Sequence, residues 1–272
     1  MKRQKRTILI NDITGFGRCS IAAMLPILSA MKIQTSFIPT AILSTNTYFK
    51  NHYMTDYTQD MEKYIKTYKE LDLCFDSICS GFLGSSKQID ILIDFMKHFK
   101  KNDTFVLVDP VMGDQGQTYP HITKEMCSKI RDLLKYADII TPNLTEISIL
   151  LERALSNNSS FEELNEMCQE ISKLGPKKIV VTGIPQEKNI LNFIYEKDKE
   201  PQILATPKIG IDRSGAGDVF SAIIIGSYMH GTPFYQCVEK AISFVSKCIS
   251  YADALDLPFN HGLCFEEFLT EL

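Results

Sequence analysis

Short apolar runs rich in branched residues alternate along this chain with longer stretches whose apolar positions recur at helical spacing. The short runs at 7–10, 36–42, 77–82, 104–109, 138–142, 178–183 and 190–196 read as strands. Between and after them, 21–31, 58–71, 85–99, 123–136, 144–154, 160–174 and 216–230 read as helices, followed by helix-like stretches at 233–250 and 263–269. Such repeated alternation predicts one α/β domain with a largely parallel sheet and helices on both faces. Polar residues and glycines collect where the inferred strands end: Asn11 and Asp12, Gly81 and Gly84, Asp109, Asn143 and Gly183. Open α/β sheets bind ligands at such ends, so residues remote in sequence can serve one cleft.

Composition narrows the class. The 272 residues are 44% hydrophobic and 23% charged, as in a globular protein with a large core. With 29 basic and 33 acidic residues the formal charge is -4, which does not suggest a nucleic-acid surface. The basic cluster MKRQKR at 1–6 reads as a frayed start before a strand, and the aromatic and basic 63–75 as an amphipathic helix interleaved with acids. RALSNNS at 153–159 reads as a surface connection, KDKEP at 197–201 as a charged turn and PFNHG at 258–262 as another. No apolar run reaches membrane-spanning length and no secretory signal stands at the start, so a cytoplasmic protein is expected. Eight cysteines without a CxxC pair are expected to stay reduced, with neither zinc nor a disulfide framework.

The segment RSGAGDVFSAIIIG at 213–226 carries the strongest chemical signal: small residues lead into Asp218 and then into a helix-like apolar run. Ser214, Gly215, Ala216 and Gly217 can gather backbone amides around an anion at a helix start, with a carboxylate beside them to take a proton from a hydroxyl. An ordinary Gly-rich turn is the plain alternative. DPVMGD at 109–114 offers two carboxylates, Asp109 and Asp114, for hydrated magnesium or phosphate, or simply two solvated loop acids. TPNLTE at 141–146 places Asn143 and Glu146 in capping-box register, where they either cap the helix or orient magnesium-bound water and phosphate. NDITGFGRCS at 11–20 joins a strand to a helix and lacks the third glycine of the dinucleotide fingerprint, and no Walker phosphate loop is present.

Taken together, INDITGFGRCS, LST-x-T ending at Thr47, SGFLGS around Gly81, DPVMGD, ITPNLTE and SGAGDVFSA resemble the pyridoxal kinase group of the ribokinase-like superfamily, especially the bacterial pyridoxamine kinases. The resemblance implies a three-layer α/β/α fold with a central, mostly parallel sheet. It implies a single kinase domain over 1–272 with a small lid contribution around 36–57, and a homodimer. The implied activity is ATP-dependent phosphorylation of the 5'-hydroxymethyl group of pyridoxal, pyridoxine or pyridoxamine, as in vitamin B6 salvage. Asp218 then takes the position of the catalytic base, and Ser214 to Gly217 that of the anion hole. Asp109, Asp114, Asn143 and Thr182 fall near ATP and its phosphates, and Asp114 and Glu146 near Mg2+, with a K+ requirement left open. Asp12, Thr47 and Phe82 fall around the vitamin ring, although Phe82 also reads as a core aromatic.

Two departures from that group bear on the substrate. Where the group has glycines after Thr47, this chain reads NTYFKNHY, and SGAGD replaces the commoner GTGD and is closer to sugar-kinase relatives. Alternative readings are therefore a kinase for hydroxymethylpyrimidine or a sugar, or a non-catalytic vitamin-binding relative. NDITGFGRCS differs from the serine- and glycine-rich start usual in thiamin-precursor kinases.

Overall fold

The computed structural model describes residues 3–154 and 159–272. The first residues of the basic cluster and the middle of the connection at 153–159 lie outside the described residues. In chain order the elements are β1 (Arg6–Phe16), α1 (Ser20–Ala30), β2 (Gln34–Thr45), β3 (Met54–Asp56), α2 (Thr58–Glu70), β4 (Ser77–Ser80), α3 (Ser86–Phe99), β5 (Phe105–Val108), β6 (Gly113–Asp114), β7 (Gln117–Thr118) and α4 (Lys124–Leu133). They continue with β8 (Ile139–Ile140), α5 (Leu144–Leu150), α6 (Phe161–Leu174), β9 (Lys178–Gln186), β10 (Asn189–Glu196), β11 (Gln202–Pro207), α7 (Ala216–Met229) and α8 (Phe234–Ala254). The chain divides into two compact units, Met1–Phe82 with Ile209–Leu272, and Leu83–Lys208.

In the first unit the strand order is β4-β1-β2-β3, with β4, β1 and β2 parallel and β3 antiparallel at the edge. Ile8, Leu9 and Ile10 are all buried, so β1 hides both its faces, as a covered parallel strand does. Helix α1 packs on β1 and on α7, and α2 on β2. From Val219 to Ser227 every residue of α7 is buried, so this helix has no solvated stripe. Each fully buried aliphatic side chain contributes about 1.5–3 kcal/mol relative to exposure, which makes α7 a firm base for its own first turn.

In the second unit the order is β11-β10-β9-β8-β5, parallel from β5 through β8 to β9 and antiparallel over β9, β10 and β11. Helices α3, α4 and α5 pack in succession, α5 also meets β9, and α6 covers β9 and β10.

Each strand inferred from the sequence is present, but the first two run further than expected. β1 continues to Phe16 because it pairs with β2 from Arg6 opposite Gln34 to Phe16 opposite Thr45, with a register shift between Asn11 and Ile13. Asn11 and Asp12 thus lie inside the strand at an irregularity, not after it. The short strands β3, β6 and β7 are too brief to leave a periodic signal, and β11 is an edge strand whose residues are mostly exposed. The helix expected over 144–154 ends at Leu150, since Glu152 turns into the left-handed region at φ 54. At the carboxyl end a 3-10 segment, Glu266–Glu271, replaces the expected helix. The basic start is tied down from Arg3, whose guanidinium grips both oxygens of Asp76 at 2.7 and 3.2 Å.

Candidate active site

The residues singled out from the sequence fall into two groups, one in each unit. In the first unit Gly215 is the N-cap of α7 at φ 82 and ψ 0, a conformation open to glycine. A Cβ there would stand 2.0 Å from the carbonyl oxygen of Arg18, so glycine is also needed for the loop before α1 to approach. No side chain caps α7; the Ala216 N–H donates to the Arg213 carbonyl at 3.3 Å, and the rest of the helix start, beside Ser214, Gly215 and Gly217, is the kind of place where an anion can accept from backbone amides. The loop is fixed from behind by Arg213. Its buried guanidinium donates to Asp253 Oδ1 at 2.7 Å and to the carbonyls of Leu257 and Pro258 at 3.0 and 3.2 Å.

Asp218 sits in the first turn of α7 with both oxygens held. Asn11 Nδ2 donates to Oδ1 at 3.0 Å, and the Ser20 backbone N–H donates to Oδ2 at 2.7 Å. Burial pushes its carboxyl up to about 7; the Asp12 charge adds to the rise, and the Ser20 and Asn11 hydrogen bonds oppose it. A carboxylate that titrates near neutrality is suited to accept a hydroxyl proton. Asp12 is itself buried, accepts from Thr14 Oγ1 at 2.7 Å, and has its pKa raised, chiefly by burial. Cys19, next in the chain to Ser20, is held as an inert thiol: burial, with the charges of Asp218 and Asp12, pushes it up to about 12.

Phe82 is half-buried, and its backbone N–H donates to Asn11 Oδ1 at 2.8 Å. Thr47 is exposed in a turn. That turn is not loose, although Tyr48 and Phe49 stand where the resembling group has glycines. Asn46 Nδ2 donates to the Asn260 carbonyl at 2.7 Å, Tyr48 meets Phe259 edge-on at 5.3 Å between ring centroids, and Phe49 stacks on His261 at 6.1 Å. Phe16 packs against both Phe49 and His261, at 5.6 and 5.1 Å.

In the second unit the capping reading of TPNLTE is realised. Asn143 Oδ1 accepts from the Glu146 N–H at 2.9 Å, and Glu146 Oε2 accepts from the Asn143 N–H at 2.9 Å. Glu146 Oε1 accepts from the Met112 N–H at 3.2 Å, and Asn143 Nδ2 donates to the Gly113 carbonyl at 2.9 Å. The box therefore ties DPVMGD to α5. Thr182 lies beside Asn143 in a parallel bridge, and its N–H donates to the Pro142 carbonyl at 2.9 Å. Asp109 is half-buried; Asp114 is exposed, with Oδ1 accepting from the Gln115 N–H at 2.8 Å. Burial and then the charge of Asp109 raise the buried Glu146 well above the usual carboxylate range, with a smaller contribution from Asp114. This all-oxygen, mutually repelling set fits a hard divalent cation, which relieves such repulsion. Among the described residues no group of three or more His, Cys, Asp or Glu side chains is disposed to hold a metal unaided, so phosphate oxygens and water would complete the coordination.

Sequence reasoning gave no role to three groups that the structure brings to Asp218 and its loop. Asn11 was named only among the polar residues at a strand end and Arg213 only as the first residue of its motif, neither with a role, and Ser20, at φ 55, carried no signal because its contribution is a backbone N–H.

A family model described as phosphomethylpyrimidine kinase matches residues 17–263. The chain belongs to this family. A proposed phosphomethylpyrimidine kinase from Bacteroides thetaiotaomicron gives a TM-score of 0.97 at 33% identity, over 99% of this chain and 94% of its own. An orthorhombic form of it, with pyridoxal, gives 0.94 at 32% identity over 99% and 95%. The hydroxymethylpyrimidine/phosphomethylpyrimidine kinase of Haemophilus influenzae is 28% identical over 188 residues, 67% of each chain. Pyridoxal kinase PdxY of Actinobacillus pleuropneumoniae is 26% identical over 203 residues, 71% of this chain and 67% of its own.

These findings overturn the placement in the pyridoxal and pyridoxamine kinase group. The physical reason lies in what the motifs do here: Asn11 holds Asp218, Gly81 leaves room for Asn11, and TPNLTE caps a helix. Much of what they encode is scaffold, which does not tell one substrate ring from another, and most of NDITGFGRCS precedes the matched range. The expected three-layer α/β/α ribokinase-like fold, with a mixed and largely parallel central sheet, is present. The family makes the chain an ATP-dependent small-molecule kinase. Among the described residues no helix is long and apolar enough to cross a membrane.

Proposed function

We propose that this protein transfers the γ-phosphoryl group of ATP to the hydroxymethyl group of a pyrimidine, with Asp218 as the catalytic base. The observation that carries the chemistry is the Asp218 carboxyl, fixed through both oxygens at the start of α7, where burial pushes it up to about 7. The pyrimidine substrate is favoured by the matched family and by the Haemophilus influenzae relative.

In the reaction the substrate hydroxyl oxygen bonds to the γ-phosphorus as the bond from that phosphorus to the β-bridging oxygen breaks. The hydroxyl proton passes to Asp218, and ADP leaves with the electron pair. Amides from Ser214 to Gly217 stabilise the negative charge on the transferring oxygens. Asn143, Thr182 and Asp109 serve ATP and its phosphates. Asp114 and Glu146 would hold Mg2+, whose chemistry there is to neutralise phosphate charge. Asp12, Thr47 and Phe82 contact the substrate ring. The segment 36–57 contributes a lid, its turn at 46–49 braced by Phe259 and His261.

The test incubates the purified chain and Asp218→Asn with Mg-ATP and, separately, hydroxymethylpyrimidine, the three vitamin B6 forms and ribose, with products identified by mass. Hydroxymethylpyrimidine phosphate formed with the highest kcat/KM, and lost in Asp218→Asn, is the expected result. A B6 phosphate formed at higher kcat/KM overturns the pyrimidine assignment and moves the substrate to the pyridine that accompanies the Bacteroides thetaiotaomicron relative. Binding without product overturns catalysis.

A further inference from the structure

We propose that Asn11 is a positioning residue for phosphoryl transfer, holding the Asp218 carboxylate in the one rotation that presents a free lone pair to the substrate hydroxyl. The inference rests on the reading of Asp218 as the base.

The orientation of the Asn11 amide follows from its partners. Its Oδ1 accepts from two backbone amides, Phe82 N–H at 2.8 Å and Asp12 N–H at 3.0 Å. Backbone N–H groups only donate, so the acceptor end of the amide must face them and the NH2 end must face Asp218. Asn11 is 4% exposed, so water does not replace these bonds cheaply. Its place in β1 coincides with the register shift against β2, where Asn11 pairs with Pro39. Such irregularities re-aim a side chain beside an active site. The pocket for the amide is built to size, because a Cβ at Gly81 would lie 2.7–2.8 Å from the Asn11 side-chain atoms.

On the other oxygen the Ser20 N–H completes the clamp, from a residue held at the unusual φ of 55. Two donors from different elements, one on each oxygen, stop rotation about the Asp218 carboxyl bond. Each oxygen keeps a further lone pair with which to take a proton. The same Asn11 amide joins the base to Phe82, the residue proposed for the substrate wall, so base and wall share one rigid reference point. A packing role alone requires Oδ1; positioning requires the Nδ2 donor.

Asn11→Asp separates the two. It keeps the shape and the acceptor for Phe82 and Asp12, but offers Asp218 a donor only while the carboxyl pair carries a proton. The ionisable groups around Asp218 are then Asp12, the substituted position and the Cys19 thiol. The expected wild-type kcat profile rises through about 7 to a plateau. For Asn11→Asp we expect a bell that falls on the alkaline side, with kcat at pH 9 lowered about tenfold to a hundredfold and KM for ATP within about threefold of wild type.

A wild-type plateau and kcat in Asn11→Asp would show that only the acceptor matters and would overturn the proposal. If Asn11→Asp does not fold, Asn11→Ser decides. Serine shortens the side chain and removes both ends of the amide, so a kcat about tenfold lower with unchanged KM for ATP and an unchanged urea midpoint supports positioning, whereas an unchanged kcat, or a kcat loss that only follows a lowered midpoint, overturns it. Asp218→Asn is measured alongside. Activity retained there refutes the base reading itself, whereas an inactive Asp218→Asn with a wild-type-like Asn11→Asp refutes positioning alone.

Discussion

The Asp218→Asn substitution is expected to abolish turnover and, at alkaline pH, to make the fold relatively more stable. Burial raises the Asp218 carboxyl from 3.8 to about 7, so between those values the native protein keeps a proton that the unfolded chain has released. Stability therefore falls as pH rises across that window and is flat above it. At 1.36 kcal/mol for each pH unit of displacement, the fall attributable to this one group is at most about 4 kcal/mol. The substituted amide cannot ionise and escapes the fall. It also places an NH2 against either the Ser20 N–H or the Asn11 NH2, a donor facing a donor, at a pH-independent cost of about 1–3 kcal/mol. The difference in unfolding free energy, variant minus wild type, should thus be negative near pH 4 and climb by up to about 4 kcal/mol by pH 8. Urea unfolding of both proteins at intervals of pH, followed by circular dichroism, measures it. Parallel pH dependences for the two proteins would mean that Asp218 titrates normally, and the argument for a tuned base would fail.

Three further outcomes follow from the same geometry. Asp12→Asn removes a negative charge that helps to raise Asp218, so the acidic limb of kcat/KM should move down by about half to one pH unit; an upward or absent movement contradicts the assigned coupling. Gly215→Ala sets a Cβ 2.0 Å from the Arg18 carbonyl in the left-handed region and should cost about 3 kcal/mol or more in urea unfolding, whereas Gly231→Ala, at φ 85 with nothing within 4 Å, should cost only about 1–2 kcal/mol of backbone strain. Equal losses would show that the approach of the loop at Arg18 does not matter. Asn143→Ala deletes the cap of α5 and the bond to the Gly113 carbonyl, so thermal denaturation should report a loss of about 1–3 kcal/mol, with amide exchange faster at Glu146.

Hydrophobic period alone was enough to name every strand but β3, β6, β7 and β11, and most helices, since it reports which faces are buried and burial dominates folding. Local chemistry was enough for the cap of α5, because Asn143 and Glu146 are three residues apart and interact within one turn. The glycines of SGAGD were legible for the same reason: a backbone that must turn left-handed at Gly215 writes itself as glycine. What no local pattern contained was the company Asp218 keeps. Asn11 is 207 residues away in sequence and Ser20 198, and one of the two bonds comes from a main-chain N–H that every residue but proline possesses. The bracing of Tyr48 and Phe49 by Phe259 and His261 was equally hidden, since the rings that meet come from segments far apart in sequence. The substrate group was misplaced for a related reason. The shared motifs record the scaffold that sets the base and the helix starts, while a ring pocket is made of side chains from separate elements. Sequence fixes what each segment prefers by itself; the pKa of Asp218 and the rotation of its carboxylate exist only once β1, the loop before α1 and α7 are packed together, because desolvation and hydrogen bonding between distant residues are properties of the folded chain.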